Sequence, residues 1–231
     1  MTYILILFLT YVLHLLLKLN WVCTAVVLVF LLVMQHFHRI KGQRFQEARK
    51  RFLDVSLYID TLLYSFLKEQ KIIRAFEDVK STLADGHMKE TVSRAIDHMM
   101  LTFDETEVFV DAMRIIEDEY KCNRIVNAHE FMAHAEYYGG DIKESATILL
   151  KDKSAWERRI LRNIEDRQRM FHQIILSVVT SVIISGIILY LPVLSMDISS
   201  NIIVQILSVA LIVLDDLIIL WGQKFLEVDY L

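Results

Sequence analysis

Two long apolar regions constrain the fold of this chain of 231 residues more than any other feature. Residues 1–37 and 171–221 carry few charges, whereas the stretch between them holds all but two of the 25 lysines and arginines. The chain is 55% hydrophobic with a mean hydropathy of +0.39, which is too apolar for a soluble domain of this size. The pattern predicts a membrane protein with one polar domain.

The chain contains little that would break helices. There is one proline, Pro192, and there are six glycines, so hairpin turns are scarce and an all-α fold is expected. We predict a cytoplasmic helical-bundle domain of about six helices between two transmembrane helix pairs. The predicted regions are an N-terminal transmembrane hairpin (1–37), the cytoplasmic domain (38–172), a C-terminal transmembrane pair (173–222) and a short cytoplasmic tail (223–231).

The N-terminal apolar region is divided by a polar break at Lys18-Leu19-Asn20. Its halves, Tyr3–Leu17 and Trp21–Met34, are each shorter than the roughly 20 residues of a typical spanning helix. A tight helical hairpin is the main interpretation, and a single span at 21–37 preceded by an interfacial helix is the alternative. A signal peptide fits less well, because the segment has neither a basic start nor a small-residue cleavage site.

Basic residues beside the apolar regions predict the orientation in the membrane. Positive charge is retained on the inner side, so residues 38–172 and both termini are expected to be cytoplasmic in a multi-pass protein of the plasma (inner) membrane. The second apolar region supplies two clear runs, 174–191 and 202–221. The flanking cations are Arg39, Lys41, Arg44, Arg49, Lys50, Arg51, Lys151, Lys153, Arg158, Arg159, Arg162, Arg167 and Arg169.

Hydrophobic spacing in the polar region is helical throughout. Asp85-Gly86 is typical of a left-handed helix stop, and Asp104 with Glu107 is typical of a capped helix start. From Asp141 onward we find no strong stop, which predicts one helix continuing into the third span. The predicted helices are Phe52–Leu67, Ile72–Leu83, His87–Leu101, a helix from the Asp104 cap to about Tyr120, Asn123–Tyr138, and the long helix from Asp141.

No pattern for catalysis, metal or cofactor binding emerges. His129 and His134 are five residues apart, which turns them about 140° away from each other on a helix, so solvated or interfacial histidines are favoured over a zinc site. No phosphate-binding loop or activated nucleophile is recognisable, and the net charge of −4 disfavours nucleic-acid binding. Cys23 and Cys122 are expected to stay unpaired. We therefore expect a protein that is not an enzyme.

One segment of the polar region is strongly acidic and contains a single base, Arg114. A solvated helix face is the main interpretation, and a docking surface for a basic partner is the alternative. The acidic residues are Asp104, Glu105, Glu107, Asp111, Glu117, Asp118 and Glu119.

Asp215 and Asp216 interrupt the last apolar run. A carboxylate near mid-membrane costs about 3 kcal/mol on insertion scales, so it normally faces protein or water. Thr180 and Ser181 on the preceding span are candidate partners. The acids either lie near the cytoplasmic interface within the helix packing, or contact another subunit or a translocated substrate, or relay protons.

The order of these segments resembles the type II secretion F-domain family, especially its single-domain Tad (Flp) pilus platform proteins. The stretch Phe52–Leu63 followed by Ile72–Phe76 is similar to the family's first two helices. Phe131–Glu136, the junction Gly139-Gly140-Asp141 and the charged helix through Arg169 are similar to its more diagnostic second part. The resemblance covers about residues 50–221, although Glu69-Gln70-Lys71 replaces the usual glycine-bearing segment.

The resemblance implies a non-enzymatic inner-membrane platform without cofactors. Such a protein couples a hexameric cytoplasmic secretion ATPase to the assembly or export of pilin-like subunits. It would be embedded in membrane lipids and pair with itself or with a paralogous platform protein. Two other functions remain open, namely a membrane-anchored adaptor or signalling protein and a small transporter that uses Asp215 and Asp216.

Overall fold

The computed structural model describes residues 2–69, 71–101, 106–138, 142–190, 201–224 and 226, and within them it is helical without any strand. The all-α prediction is confirmed for this part of the chain. The helices are α1 (Thr2–Leu16), α2 (Trp21–Glu69), α3 (Ile72–Thr82), α4 (His87–Leu101), α5 (Thr106–Tyr120), α6 (Asn123–Tyr138), α7 (Ile142–Leu189) and α8 (Ile202–Lys224).

The chain forms two compact units. Residues 1–46 and 163–228 form the first, which we call the apolar unit, and residues 47–162 form the second, the polar unit. Helices α2, α7 and α8 are long and apolar enough to cross a membrane, which indicates a membrane protein. Helix α1 has 15 residues and is therefore only about 22 Å long, so its crossing stays a prediction.

Two helices carry residues of both units. The predicted continuity of α7 is confirmed, because the helix runs for 48 residues from Ile142 to Leu189. Helix α2 is also continuous over 49 residues, whereas the sequence suggested two separate segments. The basic stretch between those segments is rich in arginine, lysine, glutamine and glutamate, which favour helix, and its single glycine, Gly42, does not break it.

The helix ends of the polar unit follow local sequence signals with one exception. Helices α4 and α6 have the predicted bounds, and α3 is one residue shorter than predicted. The prediction of a left-handed stop at Asp85-Gly86 is wrong. Helix α3 instead ends at Thr82, and its C-cap residue Leu83 has an extended backbone (φ −69°, ψ 136°) and a side chain buried in the core. The Asp104 cap lies outside the described residues.

The core of the polar unit lies along one side of α2. Tyr58 is fully buried, whereas its neighbour Leu57 is 40% exposed. The ring of Phe52 packs edge-on against Trp156 of α7, with 5.0 Å between centroids. Each fully buried side chain of this size stabilises the fold by roughly 1.5–3 kcal/mol. The other α2 residues of the core are Val55, Ile59, Leu62, Leu63 and Phe66.

A tight turn joins α1 to α2 in the apolar unit. Lys18 has a left-handed backbone (φ 47°), and the amide of Leu19 donates to the carbonyl of His14 at 3.2 Å, as in a Schellman motif. The side chain of Gln205 from α8 accepts from the Asn20 amide and donates to the Lys18 carbonyl, both at 2.9 Å. These bonds fix the turn against α8.

Candidate functional site

The acid pair of α8 is the strongest candidate site, and its two members have different surroundings. Both carboxylate oxygens of Asp216 lie 3.2 and 3.3 Å from Nε2 of His38 on α2. Nδ1 of His38 lies 2.9 Å from the side-chain oxygen of Gln223, so both ring nitrogens face oxygen acceptors. That arrangement suits an imidazolium paired with the Asp216 carboxylate. Nζ of Lys41 donates to the Leu220 carbonyl nearby, at 3.3 Å.

Asp215 has no such partner. Its side chain is 8% exposed, and its Oδ2 atom is buried without a hydrogen bond to any described residue. Thr180, which the sequence suggested as a partner, donates to the Leu176 carbonyl of its own helix at 2.8 Å. Asp216 is therefore paired with His38, whereas Oδ2 of Asp215 can still accept a hydrogen bond from a further donor.

Both acids line a cavity of about 320 Å³ inside the apolar unit. Thr180 and Ser181 are not among its lining residues. Four helices contribute walls, and every lining side chain other than the two acids is aliphatic. These aliphatic residues are Leu9, Val12, Leu13, Leu16, Leu31, Val178, Val179, Val182, Ile183, Ile212 and Ile219.

The sequence reasoning missed His38, which is 178 residues from Asp216 along the chain. The sequence did contain a signal for this pair. His38 follows the end of one apolar run and Asp216 lies near the end of another, and two such ends that meet the same membrane surface bring their residues to similar depths. Depth along a span is therefore a better guide to a partner than proximity in the chain.

Some side chains of the acidic segment pair with neighbouring residues of the polar unit, and others are exposed. Glu119 accepts from His87 at 2.6 Å, and this hydrogen bond lowers the pKa of the Glu119 carboxyl below its usual value. Asp111 pairs with Arg114 at 3.1 Å, and Asp118 is exposed. Asp104 and Glu105 lie outside the described residues, as does the side chain of Glu107. The docking interpretation of the segment stays a prediction.

Glu117 belongs to a buried chain of hydrogen bonds instead of a solvated face. Nδ1 of His129 donates to Oε1 of Glu117 at 2.7 Å, and Nε2 of His129 accepts from the Tyr58 hydroxyl at 2.6 Å. Burial lowers the pKa of the His129 imidazole below 6.5, which keeps the ring neutral and fixes this tautomer. The prediction of a solvated histidine is therefore wrong for His129. His134 is exposed and stacks against Tyr138.

Helix α7 is fixed within the polar unit by a buried cation. The ammonium group of Lys153 donates to the carboxylate of Asp60 on α2 and, at 2.7 Å, to Glu157 one turn further along α7. Lys153 is 2% exposed although a lysine is ordinarily solvated. Arg124 of α6 adds an ion pair with Asp152 at 3.3 Å and lies over the Trp156 ring. Two helices, α2 and α6, therefore hold this part of α7.

The described residues offer no group of three or more histidine, cysteine, aspartate or glutamate side chains that could hold a metal ion. Cys23 and Cys122 are free thiols in different units. Gly139, Gly140 and Asp141, on which the family-like junction rests, lie outside the residues that the structure describes.

The fold and these contacts define an all-helical membrane protein with an acid-lined cavity among its apolar helices. In comparisons with known proteins, the chain matches no protein-family model, no characterised protein and no solved structure.

Proposed function

We propose that this chain is an inner-membrane platform protein of a Tad, type II secretion or type IV pilus-like machine. It would couple a hexameric cytoplasmic secretion ATPase to the assembly or export of pilin-like subunits. The observation that carries this proposal is helix α7, which runs unbroken from the polar unit into the apolar unit. The resemblance of residues 50–221 to the F-domain family supports the same function.

Helix α7 has what a mechanical connector needs. A force applied to the polar unit reaches the helix through its contacts with Asp60, Arg124 and Phe52. Because residues 163–189 continue the same helix, a displacement or rotation of its first half passes along it as a rigid body. The chain itself supplies no catalytic group in this mechanism, and the energy comes from the ATPase.

The remaining parts of the proposal concern orientation and partners. The polar unit would face the cytoplasm, where exposed acids such as Asp111 and Asp118 are available to a basic surface of the motor. A single copy of the domain suggests that the chain pairs with itself or with a paralogous platform protein. Membrane lipids would surround α8 and the part of α7 that lies in the apolar unit, whose outward side chains are large and aliphatic.

The connector role is tested by an insertion in α7 near Gln173. A flexible Gly-Ser insert of seven residues should abolish pilus assembly or export while leaving membrane insertion intact. The matched control is a seven-residue Glu-Ala-Lys insert, which continues the helix through about two turns and nearly preserves its phase, and which should retain part of the activity. Normal assembly with the Gly-Ser insert would refute the mechanism.

Purification in mild detergent tests the partner assignment independently. A secretion ATPase and a paralogous platform protein should co-purify with the full chain. Recovery of signalling proteins without an ATPase would favour the adaptor function. A transporter would instead lose its activity entirely when Asp215 and Asp216 are both changed to asparagine, whereas a platform should assemble with altered helix packing.

A further inference from the structure

We propose that the cavity beside Asp215 binds a transmembrane helix of another protein, and that this helix presents a lysine or arginine side chain to the free carboxylate oxygen. The inference depends on the apolar unit alone, so it stands or falls separately from the proposed secretion function.

The first reason is the unsatisfied oxygen. A buried polar atom without a partner is costly, and it is most costly where the surroundings are aliphatic and water is scarce. Asp215 Oδ2 meets both conditions, because the walls around it consist of leucine, valine and isoleucine. A hydrogen-bond donor brought by a partner would relieve the cost, and interhelical hydrogen bonds are a known source of helix association in membranes.

The second reason is charge complementarity. The cavity contains two carboxyl groups, and His38 is the cationic partner of Asp216 among the described residues. A further cation would match the charge of Asp215. A lipid acyl chain would fill the cavity but leave Oδ2 of Asp215 without a hydrogen bond. Lysine and arginine suit such a place, since their aliphatic stems pack against apolar walls while the head group reaches a carboxylate.

The third reason is size. The cavity volume of about 320 Å³ lies at the lower end of ligand pockets, which hold about 300–1,000 Å³. That space holds one long side chain, so the partner helix would lie against the cavity and insert only its lysine or arginine side chain.

A second copy of this chain is a poorer match than another protein. Its apolar regions contain one lysine and no arginine, and that residue is Lys18. Nζ of Lys18 already lies 3.5 Å from the Leu189 carbonyl and 4.2 Å from the centre of the Tyr190 ring. The partner is therefore expected to supply a cation of its own.

The test uses a defined probe helix and the full chain in lipid nanodiscs. The probe is a polyleucine helix of about 20 residues with one lysine at the depth of Asp215, and the matched probe has leucine at that position. Association is measured by fluorescence energy transfer between labelled probe and protein. The lysine probe should bind the wild-type chain roughly threefold to tenfold more tightly than the leucine probe.

Three variants locate the contact. Asp215→Asn should abolish the preference for lysine, and Val179→Phe should weaken binding of both probes because Val179 lines the cavity. Ile184→Phe is the control, since Ile184 is an exposed residue of the same helix outside the cavity. Equal affinity for the two probes, or an unchanged lysine preference in Asp215→Asn, would overturn the proposal.

Discussion

The most deeply buried polar side chains of the polar unit differ in their pairing from the buried acid Asp215 of the apolar unit. In the polar unit, His129 is bonded on both ring nitrogens and Lys153 contacts two carboxylates. In the apolar unit, the buried Oδ2 of Asp215 has no partner among the described residues. A fully paired network stabilises one arrangement of helices, whereas an unpaired acid beside a cavity remains available to a partner. We infer that the first unit is built for rigidity and the second for binding.

Of the substitutions that test this comparison, removal of Lys153 should lower the free energy of unfolding most. Lys153→Ala leaves Asp60 without its cation and empties the space of the buried stem, so we expect a loss of about 2–3 kcal/mol in the free energy of unfolding. Chemical unfolding of the full chain in detergent measures it. Lys151→Ala is the control, because Lys151 is exposed on the same helix and its loss should cost less than about 0.5 kcal/mol. Equal effects of the two variants would contradict a role for Lys153 in holding α7.

Substitution of His129 should have an intermediate effect that depends on pH. His129→Asn removes buried hydrogen bonds with Tyr58 and Glu117 and should cost about 2 kcal/mol at pH 8. Because burial lowers the pKa of His129, the unfolded chain binds a proton more readily than the folded chain. The wild type should be fully stabilised above about pH 6.5 and lose stability as the pH falls below it.

Comparison with the His129→Asn variant at several pH values isolates the part of the pH dependence that comes from His129. The difference in stability between the wild type and His129→Asn should shrink between pH 7 and pH 5, as measured by chemical unfolding at each pH. A difference that stays constant over this range would show that the folded state does not favour a neutral His129.

Substitutions of the two acids of α8 should change stability least, and the two acids should respond differently. Asp216→Asn weakens the pairing with His38 and should lower stability by about 1 kcal/mol. Asp215→Asn removes a carboxyl group without a partner and should leave stability unchanged or slightly raised. Thermal unfolding of the full chain in nanodiscs compares the two. If both variants were destabilised equally, Asp215 would not be the open member of the pair.

The sequence predicts the local features of this fold better than its long-range pairs. Helices α4 and α6 are bounded by signals within a few residues of their ends, so their limits follow from the sequence directly. The burial of His129 depends on Tyr58 and Glu117, which are 71 and 12 residues away, and helical spacing alone cannot reveal it.

The candidate site shows the same difference between local features, which the sequence predicts, and long-range pairs, which it does not. The acids of α8 stand out in the sequence because charge is rare in an apolar run. Their partners depend on the packing of four helices, which determines that Asp216 contacts His38 and that Asp215 contacts the cavity. The continuity of α2 is hard to predict for another reason, because a change from apolar to basic residues alters the surroundings of a helix without ending it.

The orientation of the polar unit is the claim on which the platform function depends most directly. Cysteine substituted for exposed Ala84, with Cys23 changed to alanine and the buried Cys122 retained, provides a single accessible thiol. In intact cells this thiol should not react with a membrane-impermeant maleimide, and it should react fully once the membrane is permeabilised. Labelling of Ala84→Cys in intact cells would place the polar unit outside and contradict its coupling to a cytoplasmic motor.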